Sequence, residues 1–327
     1  MKKIAVELYG LTRNYEEAFN SFFINFLQPL YYDGYSVDIF IHTWSESDSN
    51  DYTWHNPKGE KRGQKIKDEC INNIINKYKP KKMVIDEPFN IAKDVIIQEK
   101  LANNSRSYNS IISCFYSRYK VNELRKEYEK EKNIKYDMVA MTRFDIAFDS
   151  PFAINFYLDM YKNYCKITPD INAIFTACAP FKMCIMLDSE NIECCTDLIL
   201  FTSPSSMNII TEFYQEIKNN NIDMTFIHNN IYSLEILWKK YWKLKNLEHI
   251  KIKYVEGIDY HIVRSQGVAN RINSSAKKSY KFRIKNNLKN IWLFFKPIFS
   301  WFSEILSVIY YSILILSKML KRLKKCL

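Results

Sequence analysis

The chain has 327 residues, 47% hydrophobic and 15% aromatic, enough to close a core of one large or two small domains and to exclude disorder over most of its length. Thirteen of its 47 Lys/Arg residues but one of its 36 acids, Glu304, fall in 271–327, so that segment carries a net charge of +12 and the rest −1. A body without a basic excess argues against nucleic acid as a partner. Eight cysteines with no Cys-x-x-Cys pair argue against a structural zinc site and a disulfide framework, and fit a reduced cytosolic compartment.

Met1-Lys2-Lys3 and the early Glu7 do not make a secretory h-region. Ile4–Tyr9 reads as a strand ending at Gly10, and 15–27 as a helix with Phe19, Phe22, Phe23 and Phe26 at helical spacing. The stretch "SVDIFIHTW" (36–44) is a second strand, followed by a polar loop to about Gly63. A helix over 64–78 leads through Pro80 to a strand at Lys82–Asp86, and a long helix over 107–131 feeds the strand beginning at Met138. Residues 165–202 hold short apolar runs that read as a mixed or antiparallel extension. Ser203 is an N-cap with Pro204 at the first helical position of a helix to about Asn219. A further helix at about 229–243 and the strand-like "KIKYV" and "DYHIVR" close the body at Arg264.

The alternation predicts an α/β fold, a mostly parallel sheet flanked by helices, over residues 1–270. The remainder, 271–327, is apolar and basic. Its longest uncharged run, Ile305–Ser317, is shorter than the ~20 residues that cross a bilayer. A narrow polar stripe through Ser300, Ser303, Ser307, Tyr311 and Lys318 predicts an amphipathic helical tail lying on an anionic membrane surface. Packing on the body and spanning the membrane are its alternatives.

In an open parallel sheet, ligands bind beyond the carboxyl ends of the strands. That rule selects Gly10 and Arg13, then His42 and Trp44, then Arg143 and Asp145. Gly10-x-x-Arg13 is an anion site at a helix start or a plain turn. His42 and Trp44 line a site or fill the core. Tyr116 and Lys120 share a face of the long helix, and Lys120 either points at a bound phosphate or is solvated. Arg143 and Asp145 either bind ligand or form a structural bridge. Asp197 and Glu235, acids flanked by apolar residues, are candidate general bases, and Arg264 is a candidate phosphate ligand or a structural cation.

"GLTRNYEEAFNSF", "VDIFIHTW", "SCFYSRYKVNELRKEYE" and "YDMVAMTRFDIAF" resemble, in order and spacing, bacterial glycosyltransferases of capsule and lipopolysaccharide synthesis. The resemblance covers about residues 3–265, and departs from the family where Tyr9 replaces a small residue before the glycine. It implies a GT-A-like nucleotide-diphospho-sugar transferase fold. Gly10 and Arg13 would meet the nucleotide, His42 and Trp44 would line the donor site, and Arg143 and Asp145 would face the diphosphate and a metal. Such enzymes often end a strand with two acids one residue apart beside a divalent ion. Here Arg143 stands in the first position, leaving Asp145, with Asp149 as outer partner, for Mn²⁺ or Mg²⁺. The implied partners are a nucleotide-sugar donor and a glycan or lipid-linked acceptor, at the inner face of the cytoplasmic membrane. Transfer of a phosphate-linked group, and a non-catalytic assembly role, are the alternatives.

Overall fold

The computed structural model describes residues 1–49, 63–88, 108–164, 170–178, 196–219 and 234–263, with the side chains of 108–111, 164 and 234–237 excepted. The chain divides between Arg264 and Ser265, and every described residue belongs to the first unit. Arg264 and the tail 271–327 therefore lie outside the described residues.

Strand β1 (Lys2–Tyr9) is followed by α1 (Tyr15–Phe22), a π-helical turn (Phe23–Leu27), α2 (Gln28–Tyr32) and β2 (Tyr35–Trp44). Then come α3 (Asp68–Tyr78), β3 (Lys82–Asp86), α4 (Tyr108–Lys132), β4 (Met138–Arg143) and β5 (Ile146–Phe148). The body ends with α5 (Ile154–Tyr164), β6 (Ile174–Cys178), β7 (Ile199–Thr202), α6 (Pro204–Thr211), α7 (Phe213–Lys218), α8 (Leu234–Leu244), β8 (His249–Val255) and β9 (Tyr260–Ile262).

Seven strands form one sheet in the order β3-β2-β1-β4-β7-β6-β8. Strands β1 to β4 pair in parallel, β7 runs antiparallel to both its neighbours, and β6 and β8 are parallel to each other. The predicted α/β architecture and its antiparallel extension are thus both present.

Period-two alternation sorts the core onto two faces. Ile4, Val6 and Leu8 of β1 join Ile39, Ile41, Met138 and Ala140 beneath α1 and α3, where Phe22 and Phe26 stack with ring centroids 5.2 Å apart. Ala5 and Tyr9 join Phe40, Val139 and Met141 on the opposite face, beneath α4, α6 and α8. Strand β3 is half-buried throughout, as an edge strand is, and Lys82 on it pairs with Glu127 and Glu131 of α4.

Three local differences from the sequence reading have physical causes. Residues 63–67 are not helical, because Lys65 bridges Glu46 and Ile66 N–H bonds the Ser45 carbonyl. The helix capped by Ser203, whose Oγ accepts the Ser206 N–H at 3.2 Å, breaks at Glu212 into α6 and α7. The closing strand β9 leaves the main sheet and pairs antiparallel with β5. No helix among the described residues is long and apolar enough to cross a membrane.

Candidate functional site

Parallel register places the predicted strand ends side by side. Tyr9 at the end of β1 lies opposite His42 on β2 and Arg143 on β4, and Trp44 lies opposite Asp86 on β3. The chain goes from β1 outward to β2 and β3, then returns to the other side of β1 as β4. The topological switch point therefore falls between β1 and β4, where open α/β sheets hold their ligands.

Beyond β1 the backbone turns through Gly10, at φ 95°, and Asn14, at φ 54°, before α1 begins. Glu16 and Glu17 in the first turn of α1 already complement its dipole, so the positive charge at this turn is that of Arg13 rather than of the helix end. Arg13 Nε donates to Asp145 Oδ2 at 2.9 Å and its Nη1 to Asp48 Oδ1 at 3.0 Å. Arg143 Nη2 donates to the same Asp145 oxygen at 2.5 Å. Asp145 is 1% exposed, whereas the two arginine side chains keep about a fifth of their surface open. A buried carboxylate thus fixes two part-exposed guanidiniums at the switch point.

By themselves these residues do not make a site for a divalent ion. Mg²⁺ and Mn²⁺ need several oxygen ligands in regular geometry. Asp145 is already clamped by two cations, and Asp149, at the end of β5, turns to His261 Nδ1 at 2.7 Å. Among the described residues no three of His, Cys, Asp and Glu come together as ligands.

A second polar group stands over β2 and β3. Ser117 Oγ accepts the Gly10 N–H at 2.9 Å and lies 2.7 Å from His42 Nδ1, while His42 Nε2 lies 3.2 Å from Asp86 Oδ2. The Asp86 carboxylate only accepts, so His42 Nε2 carries the hydrogen and donates to it, and in the neutral imidazole Nδ1 accepts the Ser117 hydroxyl hydrogen. Burial lowers the His42 pKa, against the opposing pull of Asp86. Asp86 is held at about 2, first by the His42 hydrogen bond and also by Tyr116, whose hydroxyl donates to it at 2.6 Å; burial opposes both. Lys120 adds its charge to the same carboxylate.

His42 is fully buried and Trp44 nearly so, the indole packing edge-on to His42 at 5.1 Å and tilted against Tyr116 at 5.6 Å. His42 thus holds up the site's wall, and Asp86 and Tyr116 present that wall's polar groups. Asp86 escaped selection from sequence although it ends a strand on the chosen edge, a signal the strand-end rule contains.

The third group is on α4. Arg118, 1% exposed, donates to the Tyr9 hydroxyl at 2.9 Å and pairs with the Asp197 carboxylate. Its guanidinium carbon lies 4.3, 4.8 and 5.3 Å from the ring centroids of Trp238, Tyr9 and Phe115. Tyr9 in turn donates to the Asp197 carbonyl at 2.8 Å. Tyr9 is therefore built into this cluster, and Asp197, one of the two candidate bases, is the anion of a buried pair. Helix α8 carries Glu235, whose side chain lies outside the described residues, as does Arg264.

No protein-family model matches the chain, and comparison with curated proteins finds no significant match.

Proposed function

We propose that the body transfers a sugar from a nucleotide-diphosphate donor to a lipid-linked or growing cell-surface glycan. The observation that carries this reading is the pair of guanidiniums, Arg13 and Arg143, held by one buried carboxylate at the switch point between β1 and β4. Arginine binds phosphate oxygens through paired parallel N–H groups. Transfer of a glycosyl group leaves a nucleoside diphosphate, whose growing charge is stabilised by donors already in place. Asp86, ionised and part-exposed, accepts hydrogen bonds from donor hydroxyls beside the Trp44 and Tyr116 rings. The GT-A-like assignment belongs to this proposal, as does the tail's role in bringing the body to an acceptor at the inner membrane face.

Purified full-length protein titrated with UDP-, GDP- and CMP-sugars tests the reading by ligand-induced stabilisation. A rise of several degrees with one donor class, weakened in Arg143→Ala, is the expected result. The reading fails if no donor stabilises the protein and Arg143→Ala leaves glycan synthesis in cells unchanged.

A further inference from the structure

We propose that this site takes its diphosphate without a divalent ion, Arg13 and Arg143 binding the phosphates directly and Asp48 serving as a resident anion that the ligand displaces. The inference rests on the donor-binding reading above and specifies how the charge is met.

Asp145 cannot act as an ordinary metal ligand while it holds the arginines. Its Oδ2 accepts from both guanidiniums, at 2.9 and 2.5 Å, within a side chain that is 1% exposed. A divalent ion there would sit against two fixed positive charges or would have to drive them off, and each course opposes binding. Arg143, bound to Asp145, supplies at that point the positive charge that an ion would bring.

Asp48 differs from Asp145 in every respect that matters for exchange. It lies in the irregular segment after β2, a quarter of its side-chain surface is exposed, and it holds one nitrogen of Arg13, Nη1, at 3.0 Å. Its own backbone support is the Ser49 N–H at 2.8 Å. A carboxylate so placed shields Arg13, and being held by one guanidinium nitrogen and reached by solvent it is more readily exchanged for a more highly charged phosphate than the buried Asp145 is. On its departure two guanidiniums face the ligand against one buried carboxylate.

The two assignments give opposite signs at Asp48. If it competes with the ligand, Asp48→Asn tightens binding; if it is a metal ligand, the same change weakens it. The experiment is calorimetric titration of the full-length protein with UDP, GDP and inorganic pyrophosphate, each in EDTA and in Mn²⁺. We expect one nucleoside diphosphate to bind in EDTA within about threefold of its affinity in Mn²⁺. Asp48→Asn should bind it about two- to fivefold tighter, and Arg143→Lys, which keeps the charge but loses the planar fork, about tenfold weaker. Binding that disappears in EDTA and returns with Mn²⁺ overturns the inference and leaves the donor reading standing. Asp48→Asn binding no tighter than the parent overturns the resident-anion assignment. Absence of nucleoside diphosphate binding in both buffers overturns the inference and the donor reading together.

Discussion

Glu7 of β1 and Arg125 of α4 form an ion pair in which neither side chain reaches solvent, with Nε to Oε1 at 3.0 Å. Arg125 is also held by Glu129 at 2.5 Å, by Asn122 Oδ1 at 2.6 Å and by Asn208 of α6, while Glu7 Oε2 is buried without a partner among the described residues. The guanidinium meets four acceptors, whereas the carboxylate receives a hydrogen bond from Arg125 on one oxygen and has its other oxygen unmatched among the described residues. Burial accordingly pushes the Glu7 pKa up to about 7, against the opposing pull of Arg125.

The sign of the resulting pH dependence follows from that direction. Unfolded Glu7 titrates near 4.5, so between about 4.5 and 7 the folded state binds the extra proton and Glu7's contribution to stability falls as pH rises. Glu7→Gln removes this contribution: relative to the parent, the variant gains stability from pH 5 to about pH 7 and levels off by pH 8 in urea unfolding. Arg125→Met, which strands two carboxylates, costs about 3–5 kcal/mol at pH 8. A Glu7→Gln difference that does not change with pH would remove the buried carboxyl as its source.

His42 works in the opposite direction over nearly the same range. Its pKa is lowered by burial, so below about pH 6.5 the unfolded chain takes up a proton that the folded protein resists, and stability falls with acid. His42→Phe keeps the ring but deprives Ser117 and Asp86 of a partner, costing about 1–3 kcal/mol at pH 7. The same variant loses the acid-side decline, so its difference from the parent narrows from pH 7 to pH 5. Paired unfolding curves at the two pH values measure both effects.

Arg118 and Asp197 should separate in the same way as charge and counter-charge do elsewhere. Arg118→Met leaves Asp197 buried without its cation and costs about 3–5 kcal/mol. Asp197→Asn costs less, about 1–3 kcal/mol, because Arg118 keeps the Tyr9 hydroxyl and three aromatic faces. Equal losses from the two changes, measured by chemical denaturation, would show that the ring cage contributes nothing.

What the sequence made legible was local. The runs at Ile4–Tyr9, 36–44 and 82–86 are strands because short stretches rich in Val, Ile and aromatic residues lie between polar or turn-forming residues. Ser203-Pro204 announced its helix because capping is a chemistry of adjacent residues. The strand-end rule then brought Arg13, His42, Arg143 and Asp145 to one edge. It could not distinguish the buried His42 from the part-exposed Asp86, since that depends on which helix packs above them. The polar stripe of α4 was invisible for a related reason. Ser117, Arg118, Asn122 and Arg125 have the composition of a solvated face, yet all are buried. Their partners Tyr9 and Glu7 are 109 and 118 residues away in the chain, beyond any periodicity window.

Gly10 offers the most direct test that the turn after β1 is preorganised. Its φ of 95° lies where side chains are disfavoured, yet a Cβ built there meets nothing within 4 Å, so the glycine answers to backbone conformation and not to crowding. The turn is fixed by the Gly10 N–H on Ser117 and delivers Arg13 to Asp145 three residues later. Gly10→Ala should therefore cost about 1–2 kcal/mol of stability and, on the function proposed above, weaken nucleoside diphosphate binding by shifting Arg13. Ser117→Ala, which removes the acceptor without adding a side chain to the turn, should weaken the same binding while leaving φ unstrained. If Gly10→Ala loses stability but both variants bind as the parent does, the turn serves folding alone.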